Sequence, residues 1–168
     1  SAAVEYLHRN GVVSGIGNGE FGPGQTIRRC DFVLMLCRAF GFNTGSIYSF
    51  SDVDVNSYYG NAVSTAKDLG IVTGSSGLFM PDSPISRQDA LLMLSRALTA
   101  AGRPAPAGNT ANLSAYADGG QVSNYARSAV ASLLQMGVVT GNEAHQLKPW
   151  DAVTRAEMAV ILYRVLSR

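Results

Sequence analysis

The sequence predicts an all-α fold of three helix–loop–helix repeats, and three observations carry that expectation. One phrase occurs three times, as Gly11-Val-Val-Ser-Gly15, Gly70-Ile-Val-Thr-Gly74 and Gly137-Val-Val-Thr-Gly141. Each copy leads through a polar loop to a proline (Pro23, Pro81, Pro149) and, six residues on, to an arginine (Arg29, Arg87, Arg155). After each arginine, apolar residues recur at helical spacing. Self-similarity at such a period marks one supersecondary unit copied and packed against itself.

The second helix of each unit is the clearest. Phe32, Val33, Met35, Leu36, Ala39 and Phe40 return as Ala90, Leu91, Met93, Leu94, Ala97 and Leu98, then as Met158, Ala159, Ile161, Leu162, Val165 and Leu166. This stripe is wide enough for a packed bundle position and reads as core. Ser86-Arg87-Gln88-Asp89 and Thr154-Arg155-Ala156-Glu157 are capping boxes, in which a hydroxyl takes an orphan helix amide. In the first copy, Ile27-Arg28-Arg29-Cys30-Asp31, Arg28 replaces the hydroxyl, which predicts a less well capped helix start and a groove that is either altered or more basic.

The first helices are expected through Ala3-Val4 to Leu7, Ala62-Val63 to Leu69 and Ala129-Val130 to Met136. Gly11, Gly70 and Gly137 then stop them as left-handed caps, with Val12, Ile71 and Val138 folding back on the last turn. Gly15, Gly74 and Gly141 either serve the turn or let a ligand approach the backbone. The expected boundaries are repeat 1 at 1–43, incomplete on its N-terminal side, repeat 2 at 44–101, a Pro/Gly/Ala-rich linker at 102–115, and repeat 3 at 116–168. Lone helix pairs cannot bury their apolar faces, so the three are predicted to assemble around a shared axis as one domain.

Composition narrows the function. The chain has 168 residues, 46% of them hydrophobic, ample for a core. A net charge of +1 argues against nucleic acid as a partner. No apolar run approaches the roughly 20 residues of a membrane span. No signal peptide is visible, and the chain reads as a fragment of something longer. Cys30 and Cys37, seven residues apart on one helix, are separated by about 10 Å of rise. That is too far for a bridge, so two buried thiols are expected. Gly17-Asn-Gly19-Glu-Phe-Gly22 matches a dinucleotide fingerprint by letters but lacks the strand–loop–helix context. His8 and His145 have no metal-ligand spacing. Neither a metal, a cofactor nor a catalytic residue is expected.

The arginines need an explanation that capping does not give. In the first turn each sits at the positive end of the helix dipole, at a cost of a few tenths of a kcal/mol to about 1. The same choice three times indicates a use. Two explanations stand: the guanidinium and helix amides together bind a carboxylate or phosphate, or each arginine pairs with an acid across a repeat interface.

Further segments complete a pattern. Phe50-Ser-Asp52-Val53, Leu78-Phe79-Met-Pro81 and Pro84-Ile-Ser-Arg87-Gln-Asp89 match Tyr116-Ala-Asp118, Gln146-Leu147-Lys-Pro149 and Val153-Thr-Arg155-Ala-Glu157. This pattern resembles the S-layer homology repeat, over nearly the whole chain and in three tandem copies. The resemblance implies a pseudo-threefold, three-pronged helical bundle outside bacterial cells, a monomer as an isolated module. It implies non-covalent anchoring of an exported surface protein to cell-wall polysaccharide, often through a terminal pyruvylated N-acetylmannosamine, in grooves between repeats. By the same resemblance Arg29, Arg87 and Arg155 would hold the carboxylate. Asp31, Asp89 and Glu157 would orient them or accept sugar hydroxyls, and Gly15, Gly74 and Gly141 would admit the glycan. Tyr58 and Tyr125 stand where the family commonly places a tryptophan. Trp150 either stacks on sugar or lids the core. The alternative is a structural or protein-interaction module with vestigial grooves.

Overall fold

A computed structural model describes residues 2–13, 22 and 24–168. Gly15, and all but the last residue of the Gly17–Gly22 stretch, lie outside the described residues. The elements are α1 (Ala2–Arg9), α2 (Arg29–Phe40), α3 (Gly60–Asp68), α4 (Arg87–Ala100), α5 (Asn124–Met136) and α6 (Arg155–Leu166). Two short 3-10 helices, Thr110–Ala115 and Gly119–Gln121, precede α5. Among the described residues extended pairing is limited to isolated bridges. The fold is all-α, as expected.

The helix starts follow the capping logic. Ser86 Oγ accepts the Asp89 amide at 3.3 Å and Thr154 Oγ accepts the Glu157 amide at 3.2 Å. Arg28, at the same place before α2, makes no side-chain cap bond. The stripes behind these starts are core: Phe32 and Leu36, Leu94 and Leu98, and Met158 and Leu162 are at most 1% exposed. Burying each such side chain contributes about 1.5–3 kcal/mol. Cys30 and Cys37 lie in the same stripe as free, buried thiols, and burial pushes the Cys37 thiol up to about 11.

The first helices end as the glycines dictate. Gly11, Gly70 and Gly137 have φ of +70°, +73° and +79°. Beyond them the Val12 amide donates to Leu7 and the Ile71 amide to Ala66, both at 2.8 Å, while Val12, Ile71 and Val138 are buried. This is the six-to-one bond and apolar contact of a Schellman ending.

The chain divides into two compact units, Ser1–Ile85 with Val153–Arg168, and Ser86–Ala152. In the first, α1 packs on α6 and α2 on α3; in the second, α4 and the Thr110–Ala115 turn pack on α5. Within the first unit, one residue from each repeat joins a closed ring of backbone bonds. Ile27 donates to Val153 at 3.0 Å, Val153 to Ile85 at 3.1 Å, and Ile85 to Ile27 at 2.9 Å. All three side chains are buried.

The segment read as a linker is tighter than its composition suggests. Leu113 is fully buried, and the Gly108 amide donates to Ser132 Oγ at 3.1 Å. A Cβ on Gly108 would run into the α5 backbone at Ala131, so this glycine permits close approach rather than flexibility.

A pair of substitutions separates the two glycine roles. At Gly70 only φ is at stake, since nothing lies within 4 Å of an added Cβ, and Gly70→Ala should cost about 1 kcal/mol. At Gly74, φ is +69° and a Cβ would also meet the Phe50 ring and, at 2.7 Å, the Leu78 carbonyl oxygen. Gly74→Ala should therefore cost roughly 2–4 kcal/mol, measured as the difference between the two variants in urea unfolding.

Candidate functional site

At the starts of α2, α4 and α6, backbone carbonyls from another repeat's loop take first-turn amides. In the first unit the Arg29 amide donates to Ser83 at 2.8 Å, the Cys30 amide to Pro81 at 3.0 Å, and the Arg155 amide to Gln25 at 2.9 Å. In the second unit the Arg87 amide donates to Asp151 and the Gln88 amide to Pro149, both at 2.9 Å. With Ser86 on the Asp89 amide, the first three donors of α4 are engaged. At α4 this corrects the expectation that helix amides join an anion site. An oxyanion arriving here must be met by side chains.

The arginine side chains grip the same loops. Arg29 Nε donates to the Phe79 carbonyl at 2.9 Å, and its guanidinium lies 5.1 Å from the Phe79 ring centroid. Arg87 Nη1 donates to the Lys148 carbonyl at 2.7 Å and to that of Leu147 at 3.3 Å. Neither explanation from sequence named a backbone acceptor. Each loop is held from its own repeat as well. Asp52 accepts the Phe79 and Met80 amides at 2.9 and 2.8 Å, and Asp118 those of Leu147 and Lys148 at 2.7 and 2.8 Å. Met80 and Lys148, with φ of +61° and +51°, adopt a backbone that costs an L side chain about 1–2 kcal/mol. The carboxylate beneath each fixes it there. Burial alone would raise both carboxyl pKa values. The paired amide donors, with Arg29 near Asp52 and Lys148 near Asp118, hold them below the usual carboxylate range.

Two of the motif acids, Asp31 and Asp89, face tyrosines. Tyr58 Oη donates to Asp31 at 2.6 Å and Tyr125 Oη to Asp89 at 2.7 Å. Burial of each hydroxyl, and its bond to the carboxylate, raise both phenol pKa values. Buried Gln88 braces the second pair: Nε2 donates to Tyr125 Oη at 3.1 Å and to Ser123 Oγ at 3.0 Å, and Oε1 accepts the Ser123 amide at 3.0 Å. Cys30 takes that place over α2, with Sγ 3.9 Å from Tyr58 Oη. The rings remain outward, Tyr58 at 62% and Tyr125 at 57% exposure.

Trp150 is 62% exposed, its Nε1 donating to the Gln121 carbonyl at 2.9 Å, so it does not lid the core. It follows Pro149, the loop residue bonded to the Gln88 amide. Beneath this surface, between Arg87, Gln88 and Leu147, a cavity of about 10 Å³ has room for no more than a water. The glycine expectation is also refined: a Cβ on Gly74 would strike Phe50, and one on Gly141 would lie 2.7 Å from the Tyr116 ring. Each makes room for the aromatic residue of its own repeat, which accounts for them without a ligand. Gly15 lies outside the described residues.

Sequence reasoning quoted Asp52 and Asp118 as motif letters without a task; their recurrence two residues after an aromatic was the available signal. Of the two expectations for Arg28, an altered or a more basic groove, the structure shows the altered one: Arg28 is paired, through Nε to Asp31 at 3.1 Å and through Nη1 to Asp82 at 3.0 Å. Among the described residues no group of His, Cys, Asp and Glu is placed to hold a metal, and no helix is long and apolar enough to cross a membrane.

Helix–loop–helix repeats whose loops cap and brace helix starts of other repeats, with aromatic faces left outward, define a tandem-repeat helical module. The chain matches the S-layer homology domain at residues 1–33, 49–91 and 115–159, and it belongs to that family. It is 28% identical over 98% of its length to an amylopullulanase of Thermoanaerobacterium thermosulfurigenes, of which the match covers 9%. It is 29% identical, again over 98% of its length, to a surface-layer 125 kDa protein of Lysinibacillus sphaericus, of which it covers 14%. An exoglucanase XynX of Acetivibrio thermocellus matches at 26% over 98% of this chain and 15% of that protein. The chain thus spans about a tenth to a seventh of these relatives.

The loop brace has a pH signature. Asp118→Ala should lower stability at neutral pH by about 3 kcal/mol, the order expected for two charge-assisted bonds. Because the folded-state pKa of Asp118 lies below the ordinary 3.8, that contribution is complete above the unfolded value and is lost as pH falls through the folded one. Unfolding curves of variant and parent should therefore converge in acid and diverge toward neutrality.

Proposed function

We propose that this domain anchors a larger exported protein to the bacterial cell surface by gripping an anionic, pyruvylated cell-wall polysaccharide across its inter-repeat faces. The observation that carries this reading is the surface at the start of α4. There Trp150 and Tyr125 are each tied by one polar atom and exposed, beside the cations Arg87 and Lys148. Aromatic faces held at their polar ends suit sugar rings, and a guanidinium or ammonium suits a ketal carboxylate. With the helix amides engaged, Arg87 acts as a charge and as the brace of the loop that carries Trp150.

The comparisons support the anchor rather than a catalyst. The same 98% of this chain aligns with a surface-layer protein and with two enzymes of different name. A stretch shared by all three, and amounting to 9–15% of each, is best read as their common attachment module, with catalysis elsewhere in the enzymes.

Titration calorimetry against purified pyruvylated wall polysaccharide, and against the same material stripped of pyruvate, tests the reading. Binding is expected only to the first. Trp150→Ala should weaken it about tenfold without moving the melting temperature, because the ring is exposed. Equal binding to both polymers would reject the anionic glycan.

A further inference from the structure

The two helix starts that carry a tyrosine differ, among other positions, at the N-cap and at the residue after the loop proline. Over α2 the N-cap is Arg28, and Asp82 follows the loop proline; over α4 these places hold Ser86 and Trp150. Arg28 joins three partners at once: Asp31 on α2 at 3.1 Å, Asp82 of the loop at 3.0 Å, and Tyr58 Oη just ahead of α3 at 2.6 Å. Ser86 is too short to bridge anything comparable, and its Oγ caps Asp89. Trp150 turns its only polar atom to Gln121 and leaves its ring outward.

We propose that Arg28 and Asp82 form a latch that closes the α2 face to an acidic glycan and leaves the α4 face as the working one, an inference that rests on the glycan reading above. A carboxylate approaching α2 meets a guanidinium already shared by two carboxylates. Both competitors belong to the same chain, so their effective concentration far exceeds that of a free ligand. Asp82, its side chain 77% exposed, adds repulsion where the α4 face offers an indole. The ion pairs are exposed and individually weak. The exclusion comes from occupancy and charge sign rather than from bond strength.

Reciprocal grafts test this, with the methyl glycoside of pyruvylated N-acetylmannosamine as ligand and calorimetric stoichiometry as readout. Arg28→Ser with Asp82→Trp should add one bound ligand per chain, and Ser86→Arg with Trp150→Asp should remove one. Melting temperatures show that each graft folds; should one fail to fold, the other decides. Parent binding with unchanged stoichiometry in the folded grafts overturns the latch and leaves the glycan reading standing. Loss of a site in Arg28→Ser alone also overturns it, because Arg28 would then be a ligand contact. A parent that binds no pyruvylated sugar sinks the glycan reading, and the latch with it.

Discussion

A helix start leaves four amides without partners, and at α2, α4 and α6 loops from other repeats take up the first of them. The Arg29 and Cys30 amides are taken by Ser83 and Pro81, and those of Arg87 and Gln88 by Asp151 and Pro149. The constraint is mutual, because the loop that supplies the carbonyls is itself shaped by the arginine it caps. Arg87 reaches the carbonyls of Leu147 and Lys148 while Asp118 takes their amides. A left-handed Lys148 is tolerated because the loop is held from both sides.

The candidate binding face is a by-product of this joint. Once Pro149 is bonded to the Gln88 amide, the next residue must point away from the core, and that residue is Trp150. Once Asp89 lies in the first turn of α4, Tyr125 can satisfy its hydroxyl there and keep its ring in solvent. Stability and presentation therefore share atoms. A binding defect after changing Arg87 would reflect a displaced loop as well as a lost charge, whereas Trp150 touches little that the fold requires.

Much of this was legible in the sequence because it depends on local periodicity. The six helices, the glycine endings of the first helix in each repeat and the burial of Cys30 and Cys37 follow from spacing and backbone chemistry that each repeat carries within itself. Other features depend on partners that no letter announces. A carbonyl acceptor has no side-chain signature, so the task of Arg29 and Arg87 could not be read from neighbouring acids. Asp82 lies 54 residues from Arg28, and only the folded chain brings them together. Gly74 and Gly108 look alike as turn residues, yet one makes room for a ring and the other for a helix backbone.

Hydrogen exchange at the amides of Arg29, Arg87 and Arg155 tests the central claim most directly. These are first-turn positions, which in a helix capped only by water exchange quickly. Because each donates to a carbonyl of another repeat, their protection should approach that of the mid-helix core amides, and Asp118→Ala should selectively release Arg87. Rapid exchange at all three in the intact protein would contradict the account, since the loops would then lie against the helix starts without holding them.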